Sequence, residues 1–208
     1  MKPKKCKWSK CGKEFVPVRP FQKVCNNYVC AMGYLHDKKE KTQQKESNEL
    51  IKAVKFNIKK LSDYKKDLQA NINKIVRLID KGHPCISSGR VNYNVHAGHY
   101  FSVGGNENLR FNLLNIWAQS DSDNTYKSGN ETEYRKGLIK TFGIELIDDI
   151  DDLQVRYMYM GLRKDQVIEA NIVARKIIKE LESENRTFTT VERVVFRKIF
   201  NNRIGIYI

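Results

Sequence analysis

The middle of the chain, residues 85–130, reads CISSGRVNYNVHAGHYFSVGGNENLRFNLLNIWAQSDSDNTYKSGN. It is rich in Gly, Asn and Ser, which is typical of turns and irregular loops. The alternation of residues 90–96 predicts a strand, and the apolar residues around 109–111 predict a second one. A polar helix is expected to begin near residue 122. The segment therefore predicts two short strands followed by a helix.

N-terminal to this segment, the sequence predicts one long helix from about residue 35 to residue 80. Its apolar residues follow alternating steps of four and three, as in a heptad seam, and lysines occupy the opposite faces. The seam is formed by Val54, Ile58, Leu61, Lys65, Leu68, Ile72, Ile75 and Ile79. Such a helix could pack on the C-terminal half, form a dimer seam, contact phosphates, or serve as an arm that links two domains.

Four cysteines precede this helix in two close pairs. Cys6 and Cys11 are five residues apart, as are Cys25 and Cys30. Two such pairs suit a tetrahedral Zn²⁺, which stabilises small segments that lack a core. The apolar residues and prolines of 15–21 predict a short hairpin over the metal. Two disulfides are the alternative, although a reducing cytosol opposes them.

Positive charge is concentrated in the same part of the chain. Residues 1–83 carry 21 Lys or Arg and 8 Asp or Glu, a net charge of +13, and the remainder carries +1. A cationic segment of this kind favours a polyanion through counterion release, with nucleic acid as the expected partner. The alternative is a lysine-rich helix face that serves only solubility.

Overall composition limits the class of protein. The 208 residues are 40% apolar and 30% charged, with a net charge of +14. This excludes a disordered tail and fits one or two small domains. No apolar run approaches the ~20 residues of a membrane span, and the N-terminus lacks the apolar core of a signal peptide. We therefore expect a cytosolic protein.

The C-terminal part of the chain is typical of plain helical structure. The acidic residues at 148, 149, 151 and 152 diverge around a helix, so they indicate a solvated face rather than a metal site. A final strand is expected at 203–208. Helices are expected at about 133–140, 145–153, 164–184 and 190–200, the third with a core-facing apolar stripe.

Several short strings of the middle segment resemble one family. They are Pro84–Gly89, Ala97–Tyr100, Leu109–Asn112, Asn115-Ile116 and Lys127–Asn130. Together with the cysteine pairs and the basic helix, they make residues 1–145 similar to the phage NinG (Rap) recombination proteins. That resemblance implies a nuclease of the ββα-metal (HNH) type that cuts branched intermediates such as Holliday junctions and D-loops. It also implies the host cytoplasm as location, with DNA and a phage recombinase as partners.

The resemblance assigns roles to individual residues. In such a site, a histidine takes a proton from water, and a hard ion such as Mg²⁺ or Mn²⁺ neutralises the charge that builds on the phosphate. His99 would be the general base, and Asn115 would orient the base and its loop. His96 and Asn124 would bind the metal ion. Phosphate would be held by Arg110, Lys127 and Asn130 and, on the basic helix, by Lys55, Lys59 and Lys66.

Each of these roles has a structural alternative. A strand histidine often only hydrogen-bonds a backbone carbonyl, and asparagines beside glycine-rich turns often only stabilise the backbone. Agreement of several residues with one template favours the catalytic interpretation of His99.

The chain departs from the family pattern around the site. Where relatives carry two Cys-x-x-Cys pairs, this chain has Cys85 with Ser88 and Ser120 with Asp123. We therefore expect no structural zinc there, hydrogen bonds between the two loops instead, and a buried free thiol at Cys85. His96 replaces an aspartate common in the family, which shifts the preference from Mg²⁺ toward Mn²⁺ or Zn²⁺.

The sequence as a whole predicts an α+β, mainly helical protein in four parts. These are a four-cysteine zinc knuckle at 1–34, a basic helical arm at 35–83, a ββα-metal domain at 84–145 and a helical region at 146–208. The predicted function is a metal-dependent endonuclease of phage recombination that acts on branched DNA. A non-catalytic DNA-binding recombination adaptor is the main alternative, and a zinc-knuckle protein that acts on RNA is a weaker one.

Overall fold

A computed structural model of the chain describes residues 2–126 and 129–207, without the side chains of residues 57 and 126. The chain forms two compact units, Met1–Lys59 and Lys60–Ile208. Long helices and two short hairpins make up the regular structure, which confirms the expected α+β, mainly helical class. Across the described residues, none of the helices carries an apolar stretch long enough to cross a membrane.

The first unit joins a small hairpin to a long helix. Strand β1 (Lys4–Lys5) pairs antiparallel with β2 (Glu14–Phe15), and helix α1 spans Tyr28–Ile58. The Asn27 side chain accepts a hydrogen bond of 2.8 Å from the Val29 N–H. Asn27 therefore caps the start of α1, as asparagines commonly do.

The segment between the strands is held on α1 by an aromatic ring. The Trp8 indole lies so close to Gly33 that a methyl group at that position would overlap the ring. The hairpin predicted over residues 15–21 is wrong: the strands that pair are Lys4–Lys5 and Glu14–Phe15, and residues 16–21 form a loop whose apolar side chains do not cover the cysteines. Val16, Val18 and Phe21 are 58%, 65% and 90% exposed.

The helix predicted over residues 35–80 is in fact two helices, α1 and α2 (Leu61–Ile79). Between them, Lys59 and Lys60 have extended backbone, with ψ angles of 121° and 159°. The Asp63 carboxylate accepts a hydrogen bond of 3.1 Å from the Lys60 N–H. Asp63 thus marks a new helix start, because a side chain at this position satisfies a backbone donor that the helix cannot.

The α2 half of the predicted seam is buried. It packs against helix α5 (Lys164–Glu184), whereas Val54 and Ile58 on α1 are 54% and 73% exposed. Packing on the C-terminal half therefore holds for α2. The fully buried seam residues are Leu68, Ile72, Ile75 and Ile79.

The hairpin of the second unit begins later in the chain than predicted. Strand β3 (Val95–His99) pairs antiparallel with β4 (Ile116–Ser120). Leu109 and Phe111, expected in the second strand, are instead buried in a loop that contains two short 3₁₀ turns. The Phe111 N–H donates a hydrogen bond of 3.1 Å to the Tyr207 hydroxyl. A partner so distant in sequence explains why local alternation was misleading here.

After β4, a short π-helical segment (Ser122–Tyr126) leads into the C-terminal helices. The first three follow the predicted positions. The last is capped by Thr189 rather than Thr190, and it continues to Ile204, so the strand predicted at 203–208 is wrong for its described residues. Gly205, with a φ of +75°, ends this helix. The bounds are α3 Glu131–Phe142, α4 Glu145–Arg156, α5 Lys164–Glu184 and α6 Thr190–Ile204.

A buried ion-pair cluster joins the end of α2 to α6 and β4. The Asp80 carboxylate, 2% exposed, accepts hydrogen bonds from Arg193 Nε (2.8 Å), Arg197 Nη2 (2.7 Å) and the Ala118 N–H (2.7 Å). The Arg197 guanidinium lies 3.6 Å from the centroid of the Trp117 ring. Burial disfavours the charged carboxylate, but Arg197 and Arg193 outweigh it and hold the pKa of Asp80 below its usual 3.8.

Candidate functional site

A cavity of about 310 Å³ lies at the end of β3. His99, the last residue of that strand, and Asn124, in the π-helical segment, both line it. The sequence predicted these two residues as general base and metal ligand. The strand, loop, strand and helix connection therefore brings the two predicted groups to one opening.

The imidazole of His99 is held in one orientation. Its Nε2 lies 3.0 Å from the Arg110 carbonyl oxygen, and because a carbonyl can only accept, Nε2 carries the proton. Nδ1 is then the unprotonated nitrogen, and it has no hydrogen-bond partner among the described residues. A histidine in this state can take a proton from water.

The surroundings of His99 keep it neutral. Burial lowers the pKa of His99 below its usual 6.5, and the positive charge of Arg110 lowers it further, against the raising effect of the hydrogen bond to the Arg110 carbonyl. A hydrogen bond to a carbonyl is expected of both a catalytic and a purely structural histidine. Burial lowers the pKa of either kind of histidine, so the cavity beside His99 is the observation on which a catalytic role would rest.

Asn115 closes the loop between the two strands. Its Oδ1 accepts a hydrogen bond of 2.8 Å from the Phe101 N–H. Its Nδ2 donates to the Phe101 carbonyl (3.1 Å) and to the Leu109 carbonyl (3.3 Å). Asn115 is 1% exposed, so it fixes the loop that carries the Arg110 carbonyl rather than meeting a substrate.

His96, predicted to share a metal ion with Asn124, is not among the residues that line the cavity of His99 and Asn124. His96 and His99 are three residues apart on β3, and side chains alternate between the two faces of a strand. His96 Nε2 lies 3.6 Å from Asp121 Oδ1, and both side chains are partly exposed. The family resemblance predicted that His96 binds a metal ion in the same site as His99. The alternation of side chains along β3 places the two histidines on opposite faces of the strand.

Hydrogen bonds between the two loops are present, as predicted. The Cys85 thiol donates to Asp123 Oδ2 (3.6 Å), and the Ser120 hydroxyl donates to the same oxygen (2.7 Å). The Ser120 N–H donates to Cys85 Sγ (3.2 Å). Cys85 is a buried free cysteine, whereas Ser88 is exposed and takes no part in these bonds.

The predicted phosphate ligands of the second unit have different surroundings. Asn130 donates a hydrogen bond of 3.1 Å to Asp123 Oδ1, so its amide supports the loop link. Arg110 Nε donates to Gln69 Oε1 (3.1 Å), and Arg110 and Lys66 line one shallow hollow of about 340 Å³. Lys127 lies outside the described residues.

The predicted phosphate ligands of α1 and its end are accessible. Lys55 lies in the last turn of α1 and is exposed, and Lys59 is partly exposed where the helix ends. Both belong to the first unit.

The four cysteines of the first unit form a compact cluster. The sulfur atoms of Cys6, Cys11, Cys25 and Cys30 all lie within 4.8 Å of one another, and all four are free, so the disulfide alternative is not adopted. Four thiol ligands at this separation are the donor set of a structural zinc site.

Thiol ionisation in the cluster is uneven. Burial opposes the charged form of Cys6, but backbone hydrogen bonds from Cys25 and Trp8 outweigh it and bring the pKa of Cys6 to about 7. Burial and the neighbouring thiols raise the pKa of Cys30 to about 12. Like charges at this distance disfavour one another, so a cation is needed before all four thiols can ionise together.

Sequence reasoning missed part of the cavity lining. Glu131 at the start of α3, together with Ser102 and Asn106 in the loop after β3, lines the same cavity as His99 and Asn124. With Asn124, these oxygen donors come from three separate segments. The available signal was the position of Glu131 directly after the strings that resemble the family.

Comparisons with known proteins give a consistent result. The family model described as "Bacteriophage Lambda NinG protein" matches residues 1–184. Protein ninG of Escherichia phage lambda is 33% identical over 171 residues, which cover 75% of this chain and 83% of the relative. Protein ninG of Salmonella phage P22 is 32% identical over 171 residues, with 75% and 84% covered.

A third relative matches over a shorter stretch. Protein ninG of Enterobacteria phage H19B is 36% identical over 110 residues, which cover 52% of this chain and 55% of the relative. The match thus spans just over half the length of that relative. No solved structure matches this chain.

Proposed function

This chain belongs to the NinG family of bacteriophage proteins, and from that premise we propose that it is a metal-dependent endonuclease that hydrolyses phosphodiester bonds in branched DNA during phage recombination. The observation that carries the proposal is the cavity shared by His99 and Asn124, with the Nε2–H of His99 bonded to the Arg110 carbonyl.

His99 would act as the general base. The Nε2–H of His99 donates a hydrogen bond to the Arg110 carbonyl. The unprotonated Nδ1 can therefore accept a proton from a water molecule that attacks the phosphorus atom. A neutral imidazole is required, and the depressed pKa of His99 provides it at neutral pH. Proton transfer of this kind contributes about 10²–10⁴-fold to a reaction rate.

A divalent ion would be held by oxygen donors of the same cavity. Asn124 and Glu131 offer an amide oxygen and a carboxylate there, and Mg²⁺ and Mn²⁺ prefer such ligands. When bound, such an ion neutralises charge on the phosphate and the leaving oxygen. His96 is not assigned to this site, because it pairs with Asp121 instead.

The cysteine cluster would bind a structural Zn²⁺. Its support is the set of four free thiols within 4.8 Å of one another. Four sulfur ligands complete a tetrahedron and leave no open position for a substrate, so this metal would hold the fold of the first unit.

DNA would be bound mainly through its phosphates. The exposed lysines of α1, together with Lys66 and Arg110 of the second unit, are among the side chains available for that contact. Phosphate contacts carry no base information, so binding is expected to follow DNA shape and to weaken steeply with salt.

A nicking assay on branched DNA with Mg²⁺ or Mn²⁺ tests the proposed reaction. We expect His99→Ala to lose at least about 100-fold in cleavage rate while DNA binding changes little. His96→Ala is the matched control, because it removes a histidine from the same strand but from outside the cavity, and it should retain cleavage. Cleavage by His99→Ala at the wild-type rate would instead favour the non-catalytic DNA-binding adaptor.

The pH dependence of cleavage gives a second readout of His99. A base acts only when it is unprotonated, and the pKa of His99 lies below 6.5. Activity should therefore persist as the pH falls to 6.5 and be lost at lower pH, through the pKa of the folded protein. An acid limb centred above pH 6.5 would contradict His99 as the base.

A further inference from the structure

Phe21 lies on the surface of the first unit, and its backbone adopts an unfavourable conformation. Its side chain is 90% exposed, and its φ angle is +62°. Side chains larger than glycine rarely adopt this left-handed region, and for a bulky residue it is a true outlier. An exposed ring contributes nothing to a core, so the packing of this unit does not account for a phenylalanine at this position.

The loop that carries Phe21 is held in place by the next residue. Gln22 Oε1 accepts a hydrogen bond of 2.9 Å from the Val18 N–H. Gln22 Nε2 donates to the Val24 carbonyl and to Asn26 Oδ1, both at 2.8 Å. The ring is therefore presented by an ordered loop, and a binding group that is ordered in advance loses little entropy when it binds.

Positive charge surrounds the ring. Phe21 lines an open hollow of about 570 Å³ together with Lys4, Lys5, Lys7 and Lys23. Lys7 and Lys23 are joined by a backbone hydrogen bond of 3.0 Å. Among the described residues, no other aromatic ring and no cation covers the face of Phe21. A free aromatic face beside four lysines fits a ligand that has a flat, apolar group next to an anionic one.

We propose that Phe21 is a stacking platform for an unpaired nucleobase, with the four lysines holding phosphates of the same strand. Bases inside a duplex are covered on both faces by their neighbours, so the ring can stack only on a base in a single strand, at a branch point or at a strand end. Base stacking on aromatic side chains tolerates any sequence. The proposal depends on the proposed function only in taking nucleic acid as the substrate, and it does not depend on cleavage.

Binding of the full-length protein to fluorescent oligonucleotides tests this site without added Mg²⁺ or Mn²⁺. The probes are a single strand that carries one 2-aminopurine, its complete duplex, and a four-way junction with the same base at the branch. We expect quenching of 2-aminopurine in the single strand and at the branch. Phe21→Ala should abolish the quenching and weaken single-strand binding by roughly 5- to 100-fold, with little change for the duplex.

Three variants separate stacking from charge and from folding. Phe21→Trp should keep the quenching, and Val18→Ala, which trims another exposed apolar side chain of the same loop, should change nothing. Lys23→Ala should reduce the salt dependence of binding, whereas Phe21→Ala should leave the salt slope unchanged. Phe21→Gly should lose the quenching while the unit unfolds no more readily than the wild type, because glycine adopts this φ without strain.

Two outcomes would overturn the proposal. One is Phe21→Ala that binds the single strand as tightly as the wild type. The other is an equal loss for single strand and duplex, which would make the ring a part of the fold or a surface for a protein partner. Neither result bears on cleavage by His99, so failure of the stacking site and failure of the nuclease proposal are distinguishable.

Discussion

The two units of this chain join cysteine-bearing loops by different chemistry. In the first unit, four thiols lie within 4.8 Å of one another. In the second, one thiol, the hydroxyl of Ser120 and the carboxylate of Asp123 are linked by hydrogen bonds. The difference follows the amount of core available to each unit.

The two units differ in the amount of buried core. Among the described residues of the first unit, Cys6, Pro17 and Cys30 are the buried ones. The second unit buries a large apolar cluster that includes Leu68, Trp117 and Leu138. A segment without a hydrophobic core depends on cross-links such as a metal site. A unit that has a core can join its loops by hydrogen bonds alone, each of which contributes about 1 kcal/mol.

The largest expected effect is loss of the cysteine cluster. Cys25→Ser should remove the zinc and unfold the first unit, because metal binding in such small modules supplies about 10–16 kcal/mol of apparent folding free energy. The measurements are metal content, expected to fall from one zinc per chain to none, and the fluorescence of Trp8, whose packing on Gly33 depends on that unit.

The same measurements define the contradicting result. The helical signal of the second unit should survive in Cys25→Ser, because its core contains none of these cysteines. A zinc-free wild-type protein whose Trp8 remains packed would refute the structural zinc site. Both units would then join their loops without a metal.

The next largest effect is the loss of stability when the buried carboxylate of Asp80 is removed. Asp80→Asn leaves Arg193 and Arg197 buried without a countercharge, which should cost about 3–5 kcal/mol in the free energy of unfolding. The control is Asp149→Asn, which removes an exposed ion pair with Lys198 and should cost less than about 1 kcal/mol. Urea denaturation followed by circular dichroism measures both, and equal losses would contradict the central role of Asp80.

Acid should reveal the same residue. The folded pKa of Asp80 lies below the usual 3.8, so its ionisation stabilises the fold above that pH and the contribution disappears as the pH falls through the folded value. The wild type should therefore lose stability below about pH 4, and Asp80→Asn should show a smaller loss over that range.

Sequence patterns located most helices and the cysteine cluster, because these follow local rules, whereas the residues of the candidate cavity were predicted from the family resemblance. The apolar stripe of α5 and the spacing of the cysteines are visible in short windows. The break at Lys59 and Lys60 was missed, because a heptad seam continues through it and the cap from Asp63 is a single hydrogen bond.

Long-range contacts account for the other errors. Phe111 was expected in a strand, but its backbone is satisfied by the Tyr207 hydroxyl from the far end of the chain. The Asp80 cluster joins residues more than 110 positions apart. His96 and His99 are a local case: three positions apart on β3, they belong to opposite faces of the strand, and this depends on where the strand begins and ends.

A smaller effect tests the hydrogen-bonded link itself. Asp123→Ala removes the acceptor shared by Cys85 and Ser120 and the acceptor of Asn130. Buried donors without partners cost about 1–3 kcal/mol, so the midpoint of urea denaturation should fall accordingly. Asp121→Ala, which removes a neighbouring and partly exposed carboxylate, should have little effect, and the reverse order of the two losses would contradict the link.

The smallest effect separates the two cysteine chemistries directly. Cys85→Ser keeps a donor to Asp123 and an acceptor for the Ser120 N–H, so it should cost only about 1 kcal/mol in stability. Zinc content should stay at one per chain, in contrast to its loss in Cys25→Ser. A wild-type protein with two zinc ions, of which Cys85→Ser loses one, would show that the second unit also binds metal. A zinc content that stays at one per chain in Cys85→Ser would mean that the second unit, which has its own core, joins its two loops without an ion. The Cys85 thiol would then act only as a hydrogen-bonding group.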